Sequence, residues 1–226
     1  VIVATAFERT EMLLDRSIRS VYLQEKVDPR EVRIIVVDDN AAIDNEAERI
    51  REGIQGLREA IGLEEWDFRT SVISNCRTKG NSGTGAWNTG IDLALEEAPE
   101  GYVSILDDDD AYLSDHLFQC LEAVKRNPGT VAVFQDVIWQ NVDGSEMRFP
   151  LDAACMQPGE FFVGNPGVQG SNLFLKTRDL IAAGSFDERF PNTTDRDLMI
   201  RFLWYVERTF GFDGLRSKIT ITGNSG

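Results

Sequence analysis

Two short apolar runs in this chain end in carboxylates. Val32 to Val37, mostly β-branched, leads into Asp38-Asp39-Asn40, and Tyr102 to Leu106 leads into Asp107-Asp108-Asp109-Asp110. Apolar runs of this length read as buried strands. Two of them ending in acids suggest one crevice at the carboxyl edge of a parallel sheet, where ligands sit in open α/β folds. Four consecutive carboxylates repel one another unless a cation lies among them. Mg²⁺ suits that place, since it takes one or two carboxylates together with phosphate oxygens.

The surrounding pattern agrees with such a sheet. Val1 to Thr5 reads as a strand, and Met12, Leu13, Ile18, Val21 and Tyr22 form a helical stripe. Ile43 to Ile61 reads as a helix with apolar points at Ile50, Ile54, Leu57 and Ile61, and Phe68 to Ser74 as a third strand. Ala86 to Ala98 is a helix stopped at Pro99; Leu113, Leu117, Leu121 and Val124 mark another, closed by Asn127-Pro128-Gly129. This β-α-β-α order predicts right-handed crossovers and a mostly parallel sheet with helices on both faces. The second half is less regular. Thr130 to Val142 is strand-like with a turn at Asp143-Gly144, Phe161 to Gly170 reads as loop, and Ser171 to Leu175 as a strand. A short helix over Arg178 to Ala183 follows, then a long one from Asp195 to Phe210 with Leu198, Phe202 and Val206 on one face, and a last strand at Ile219 to Thr222.

A chain of 226 residues is expected to form a single domain. Its net charge of −15 argues against a nucleic-acid partner, because phosphate backbones are held by clustered Lys and Arg. Cys76, Cys120 and Cys155 are odd in number and far apart, so the expectation is free thiols in a reducing, cytoplasmic compartment. No apolar stretch approaches the ~20 residues of a membrane span. The ends lie close to strand-like segments without a Met, which suggests trimming; peripheral membrane association through segments outside this chain is a corresponding expectation.

Several groups are placed to do chemistry at the crevice. In the Asp107–Asp110 run, one reading is a metal that bridges two phosphates of a nucleotide; the other is a solvated acidic turn in which Asp110 or Ser114 caps the next helix. Asp38-Asp39-Asn40 suits contact with a base or ribose, or a simple Asx turn. Thr5-Ala6-Phe7-Glu8-Arg9 ends the first strand, with Phe7 able to pack on a base and Arg9 to pair with phosphate or with Glu8. Asn81 to Asn88 is a Gly-rich turn entering a helix, suited either to an anion or to tight packing, and it is neither a Walker A nor a dinucleotide fingerprint. Asp195 is either a first-turn acid, with Thr194 and Asp197 resembling a capping box, or a general base ionised at neutral pH. His116, the only histidine, reads as part of a surface helix and not as a catalytic group.

Thr-Ala-Phe-Glu-Arg, Val-Val-Asp-Asp-Asn, Ala-Trp-Asn-Thr-Gly-Ile, Leu-Asp-Asp-Asp-Asp and Gly-Ser-Phe-Asp-Glu before Thr-Asp-Arg-Asp-Leu follow in that order along nearly the whole chain. This pattern resembles the family 2 glycosyltransferases, inverting enzymes with the GT-A fold. The resemblance implies a single Rossmann-like sheet plus a smaller mixed region on the acceptor side: one domain over 1–226, with a nucleotide-binding half at 1–110 and an acceptor-binding half at 111–226. It implies hexosyl transfer in polysaccharide biosynthesis from a nucleotide-sugar donor, most often UDP-linked, to a carbohydrate or other hydroxyl acceptor, with Mn²⁺ or Mg²⁺ as cofactor. The family's Asp-x-Asp motif falls on Asp107-Asp108-Asp109, with Asp109 and Asp107 as metal ligands. Donor contacts fall on Thr5, Phe7, Arg9, Asp39, Asn88, Asp107 and Asp108. The catalytic base falls on Asp195, and the loop lining donor sugar and acceptor on Gly170-Ser171-Asn172, with acceptor specificity expected between 130 and 170. Three positions depart from the usual pattern: Phe7-Glu8 where Tyr-Asn is common, Trp87 for an Arg, and Thr194 for an acid. The rival readings are a nucleotidyltransferase, which needs a basic Gly-rich loop that Lys79-Gly80-Asn81-Ser82-Gly83 matches poorly, and a non-catalytic nucleotide- or glycan-binding module.

Overall fold

The computed structural model describes residues 1–6, 8–40, 45–63, 69–79, 82–211 and 213–222. Among them, one sheet of seven strands holds β1 (Ile2–Thr5), β2 (Arg33–Asp38), β3 (Arg69–Ser74), β4 (Tyr102–Asp107), β5 (Ala132–Gln135), β8 (Leu173–Lys176) and β9 (Ile219–Thr222). A separate hairpin pairs β6 (Val137–Gln140) with β7 (Glu146–Phe149). The sheet order is β3-β2-β1-β4-β8-β5-β9, and every strand but β8 points the same way. From β1 the chain winds outward to β2 and β3, then returns to place β4 on the other side of β1. The carboxyl ends of β1 and β4 therefore flank the topological switch point.

Side chains alternate along each strand and divide the core in two. Ile2, Ile35, Val37 and Ile105 face one layer, with Trp87 and Ile91 of α4 (Thr84–Glu97) and Leu198, Phe202 and Val206 of α8 (Thr194–Phe210). Val3, Ile34, Val36 and Leu106 face the other. There they meet Leu13 and Ile18 from a helical segment of α1 (Thr10–Met12), a π turn at Leu13–Ile18 and α2 (Arg19–Tyr22), and Ile50, Ile54 and Leu57 of α3 (Glu46–Ala60). The expected mostly parallel sheet with helices on both faces is what the chain adopts. The remaining helices are α5 (His116–Arg126), α6 (Pro158–Val163), α7 (Thr177–Ala182) and α9 (Gly214–Lys218).

The structure revises several local expectations. The strand-like stretch from Thr130 breaks at Asp136, whose carboxylate accepts from the Leu151 backbone N–H at 3.0 Å, and resumes as β6 outside the main sheet. The segment read as loop from Phe161 begins inside α6, where Phe161 is fully buried against α8. Thr194 is not the cap of α8: Thr193, at φ +57°, holds that position. Neither Asp110 nor Ser114 caps α5, since Asp115 precedes its first residue. His116 is not on a surface. It is 5% exposed and stacks on Tyr112 with ring centroids 3.8 Å apart. Met12, assigned to the apolar stripe, is exposed, as is Leu113, which lies ahead of α5. The expected helix start at Ile43 and strand start at Phe68 lie outside the described residues.

A crevice at the carboxyl ends of β1 and β4

The acid run leaves β4 as a tight turn, closed by the Asp110 N–H donating to the Asp107 carbonyl at 3.2 Å. Arg16 ties it down from the helical segment, donating to the Asp109 carbonyl at 2.7 Å. The turn sorts its four carboxylates. Asp108 is turned inward, 4% exposed, and meets the Arg9 guanidinium at 3.0 Å. Arg9 also pairs with Asp109. Asp107, Asp109 and Asp110 each present an oxygen, and these lie within 4.8 Å of one another. Opposite oxygens of an octahedral Mg²⁺ stand roughly 4 Å apart, so the triad fits a divalent cation. It is the only such acidic cluster among the described residues.

The electrostatics point the same way. Burial, then the charges of Asp110, Asp109, Asp195 and Asp108, push Asp107 up to about 7. Burial also raises Asp108, although Arg9 opposes it. A turn that holds a carboxylate this far from its ordinary range stores repulsion that a cation relieves.

Asp195, on the first turn of α8, shares the crevice with this turn, and burial raises its pKa. Its carboxylate accepts from the Thr194 hydroxyl at 3.4 Å. Thr5, Arg9, Asp39, Asp107, Asp108, Asp109, Gly170 and Asp195 line one cavity of about 500 Å³. The structure thus gathers most of the residues singled out in the sequence. Phe7 lies outside the described residues. Asp39 is held by the Asn75 amide at 2.6 Å, while Asp38 turns back to accept from Asn40, as an Asx turn does. The Asx-turn reading of that acid pair is met at Asp38, while Asp39 lines the crevice.

Two assignments change. Asn88 is 3% exposed and faces away from the crevice lining. Its amide donates to the Phe186 carbonyl and to Glu188, both at 2.9 Å, and its oxygen accepts from the Phe186 N–H at 3.1 Å. It clamps the 186–188 segment onto α4. Asn172 is likewise occupied, donating to the carbonyls of Gln135 and Gly167 at 2.9 and 3.0 Å. Ser171 does reach the acid turn: it accepts from the Asp107 N–H at 3.1 Å and donates to Asp110 at 2.6 Å.

The sequence reading missed Asp110 as a member of the acid triad, because only the turn shows which of four adjacent acids converge. It also missed Gln169 in the crevice wall, whereas Ser82, Gly83 and Trp87 of the Gly-rich turn singled out in the sequence do line it. Trp87 packs beside Gly83 and Gly170, and its indole N–H is buried without a partner in the structure. The departure from Arg at that position was the available signal. A larger cavity, about 700 Å³, opens at the other end of the strands around Glu31, Arg33, Glu97 and Tyr102. It holds none of these acids, so size does not locate the chemistry here.

A family model described as glycosyl transferase family 2 matches residues 1–168. The amylovoran biosynthesis glycosyltransferase AmsB of Erwinia amylovora is 33% identical over 176 residues, which cover 74% of this chain and 53% of AmsB. The chain thus spans about half the length of that curated relative. The crystal structure of S. aureus TarS superposes on all of this chain and 35% of TarS, with a TM-score of 0.64 and 14% identity. TarS 1–349 in complex with UDP gives the same TM-score at 12% identity, covering 58% of that chain. These likenesses establish a shared fold.

Proposed function

The chain belongs to glycosyl transferase family 2, and from that membership we propose that it moves a sugar from a nucleoside diphosphate donor, UDP-linked, to an acceptor hydroxyl with inversion at the anomeric carbon. The observation that carries this reading is the meeting of the Asp107–Asp109–Asp110 triad and Asp195 across one crevice at the β1/β4 switch point. The UDP held by the structurally similar TarS supports the choice of nucleotide. The nucleotide-binding half is 1–110 and the acceptor-binding half 111–226.

In this proposal Asp39, braced by Asn75, accepts from the base, and Thr5 and Arg9 border the nucleotide. A Mn²⁺ or Mg²⁺ ion held by Asp107, Asp109 and Asp110 supplies charge neutralisation for a diphosphate leaving group. The Trp87 ring packs the crevice wall beside the donor. Asp195 takes the proton from the acceptor hydroxyl as that oxygen attacks. Burial raises its pKa, and a more basic carboxylate is a better proton acceptor. The thiols, free at Cys76, Cys120 and Cys155, support a cytoplasmic setting. Among the described residues no helix is long and apolar enough to cross a membrane.

Calorimetry with UDP, GDP, dTDP and CDP, with and without Mn²⁺, tests the donor half. UDP binding that needs Mn²⁺ and is lost in Asp109→Ala is expected; binding to none of the four overturns the reading. Asp195→Asn is expected to bind UDP as wild type does and to lose transfer by roughly 10²–10⁴-fold. Normal transfer by that variant removes Asp195 from the role of base.

A further inference from the structure

A second cavity, about 500 Å³, adjoins the first on the far side of the acid turn. The two share Asp109 and Gln169 in their walls. Its size falls within the usual range for small-molecule sites. The opposite wall is the β6–β7 hairpin, which stands outside the main sheet. On this hairpin Trp139 is 54% exposed and its cross-strand partner Met147 is 53% exposed. The Trp139 ring is braced by Phe149 at a centroid distance of 5.0 Å, yet stays open to solvent. Trp139 and Met147 thus form a paired apolar surface, and Trp139 itself lines the cavity.

The charge and polarity of the cavity narrow its ligand. It is lined by four carboxylates, from Asp109, Asp110, Asp136 and Glu146, and by one guanidinium, that of Arg16, which already donates to the Asp109 carbonyl. A cation on the acid triad offsets Asp109 and Asp110 but leaves Asp136 and Glu146. A phosphate-linked or uronic polymer is therefore repelled. An uncharged sugar ring is accommodated: its C–H face stacks on indole, and its hydroxyls donate to carboxylate and amide oxygens. His116 lines the same cavity, 5% exposed, with its Nε2 buried and without a partner in the structure.

We propose that the β6–β7 hairpin is the acceptor platform, that Trp139 stacks on a sugar ring of the acceptor, and that the acceptor is an uncharged glycan. This rests on the reading of the first crevice as the donor site. The class of acceptor is thereby a neutral oligosaccharide end rather than an anionic polymer or a simple alcohol.

The test follows the four indole N–H resonances of the chain by NMR, assigned by Trp139→Phe, in the presence of UDP and diamagnetic Mg²⁺. Neutral di- and trisaccharides built on glucose, galactose, mannose and N-acetylglucosamine are titrated beside oligo(glycerol phosphate) and oligogalacturonate. Neutral sugars are expected to shift the Trp139 resonance in wild type and, by calorimetry, to bind roughly tenfold more weakly to Trp139→Ala and to recover in part with Trp139→Phe. UDP affinity is expected to be the same in all three proteins. Tighter binding of the anionic oligomers at Trp139, or no neutral sugar shifting that resonance while UDP still binds, overturns the acceptor proposal alone. Failure of UDP to bind wild type overturns the donor reading beneath it.

Discussion

At the scale of single residues, Asp107 is where function and stability oppose each other. Between pH 3.8 and about 7 the folded chain keeps a proton on Asp107 that the unfolded chain has released. Stability contributed by this group therefore falls as pH rises through that window. Asp107→Asn is expected to raise stability at about pH 7.5 by about 1–3 kcal/mol, after allowance for solvent screening. Urea unfolding checks this, and a destabilised variant contradicts it. The same proton competes with a cation, so Mn²⁺ affinity is expected to drop steadily as pH falls below about 7. A pH-independent Mn²⁺ Kd would place the ion elsewhere. Asp195 carries its own signature: its raised pKa moves the acid limb of kcat/KM above the range of a solvent-exposed carboxylate, with rate lost as pH falls through it. That the Asp107–Asp110 run lies at a crevice was legible in the residues themselves. Which three of the four acids converge was not, because side-chain direction in a turn depends on Ser171, Arg9 and Arg16, far away in sequence.

At the scale of elements, helix placement depends on a few close approaches. A Cβ on Gly85 would stand 1.9 Å from the Thr78 carbonyl oxygen, so α4 seats against the 75–79 loop only with glycine there. Asn88 then fixes the 186–188 segment to the same helix. Asn88→Ala leaves the buried Phe186 groups without that partner and is expected to cost about 1–3 kcal/mol. UDP affinity in the folded variant is expected to be unchanged, and a large loss would return Asn88 to the donor site. In α5, burial holds His116 down at about 4. Between that value and 6.5 the unfolded chain binds a proton that the folded chain refuses. This contribution is fully present above 6.5 and is lost as pH falls toward 4. His116→Phe, which keeps an aromatic ring on Tyr112, is expected to flatten the stability profile between about pH 4 and pH 6.5 by about 1–3 kcal/mol. Its slope opposes that of Asp107, so only the single variants separate the two. The helical stripe of α3 and the strands β1, β2 and β4 were legible because their apolar spacing is local. His116 was misread because its neighbours on α5 are mixed and its burial comes from Tyr112 and from β5 across the layer.

At the scale of the molecule, the crevice is assembled from parts that only the sheet brings together: β1, β4, the loop before β8 and the start of α8. Ligand binding to such a site is linked to the stability of the whole. UDP with Mn²⁺ at about 100 times Kd is expected to stabilise by about 2.7 kcal/mol, raising Tm by roughly 5–10 °C. No shift is expected for Asp109→Ala, and an equal shift there would dissociate the acid turn from binding. The amino-acid sequence by itself determined the alternation of strands and helices, the parallel sheet and the acids at its carboxyl edge. Those follow from hydrophobic periodicity and from the polarity of strand ends, both read over a few residues. The tertiary structure alone decided that Asp195 faces Asp107 across the crevice, that Asn88 serves as a clamp, and that the hairpin carrying Trp139 leaves the sheet to border a second cavity. These depend on contacts between segments up to about a hundred residues apart, and no local pattern encodes which side chains such packing brings face to face.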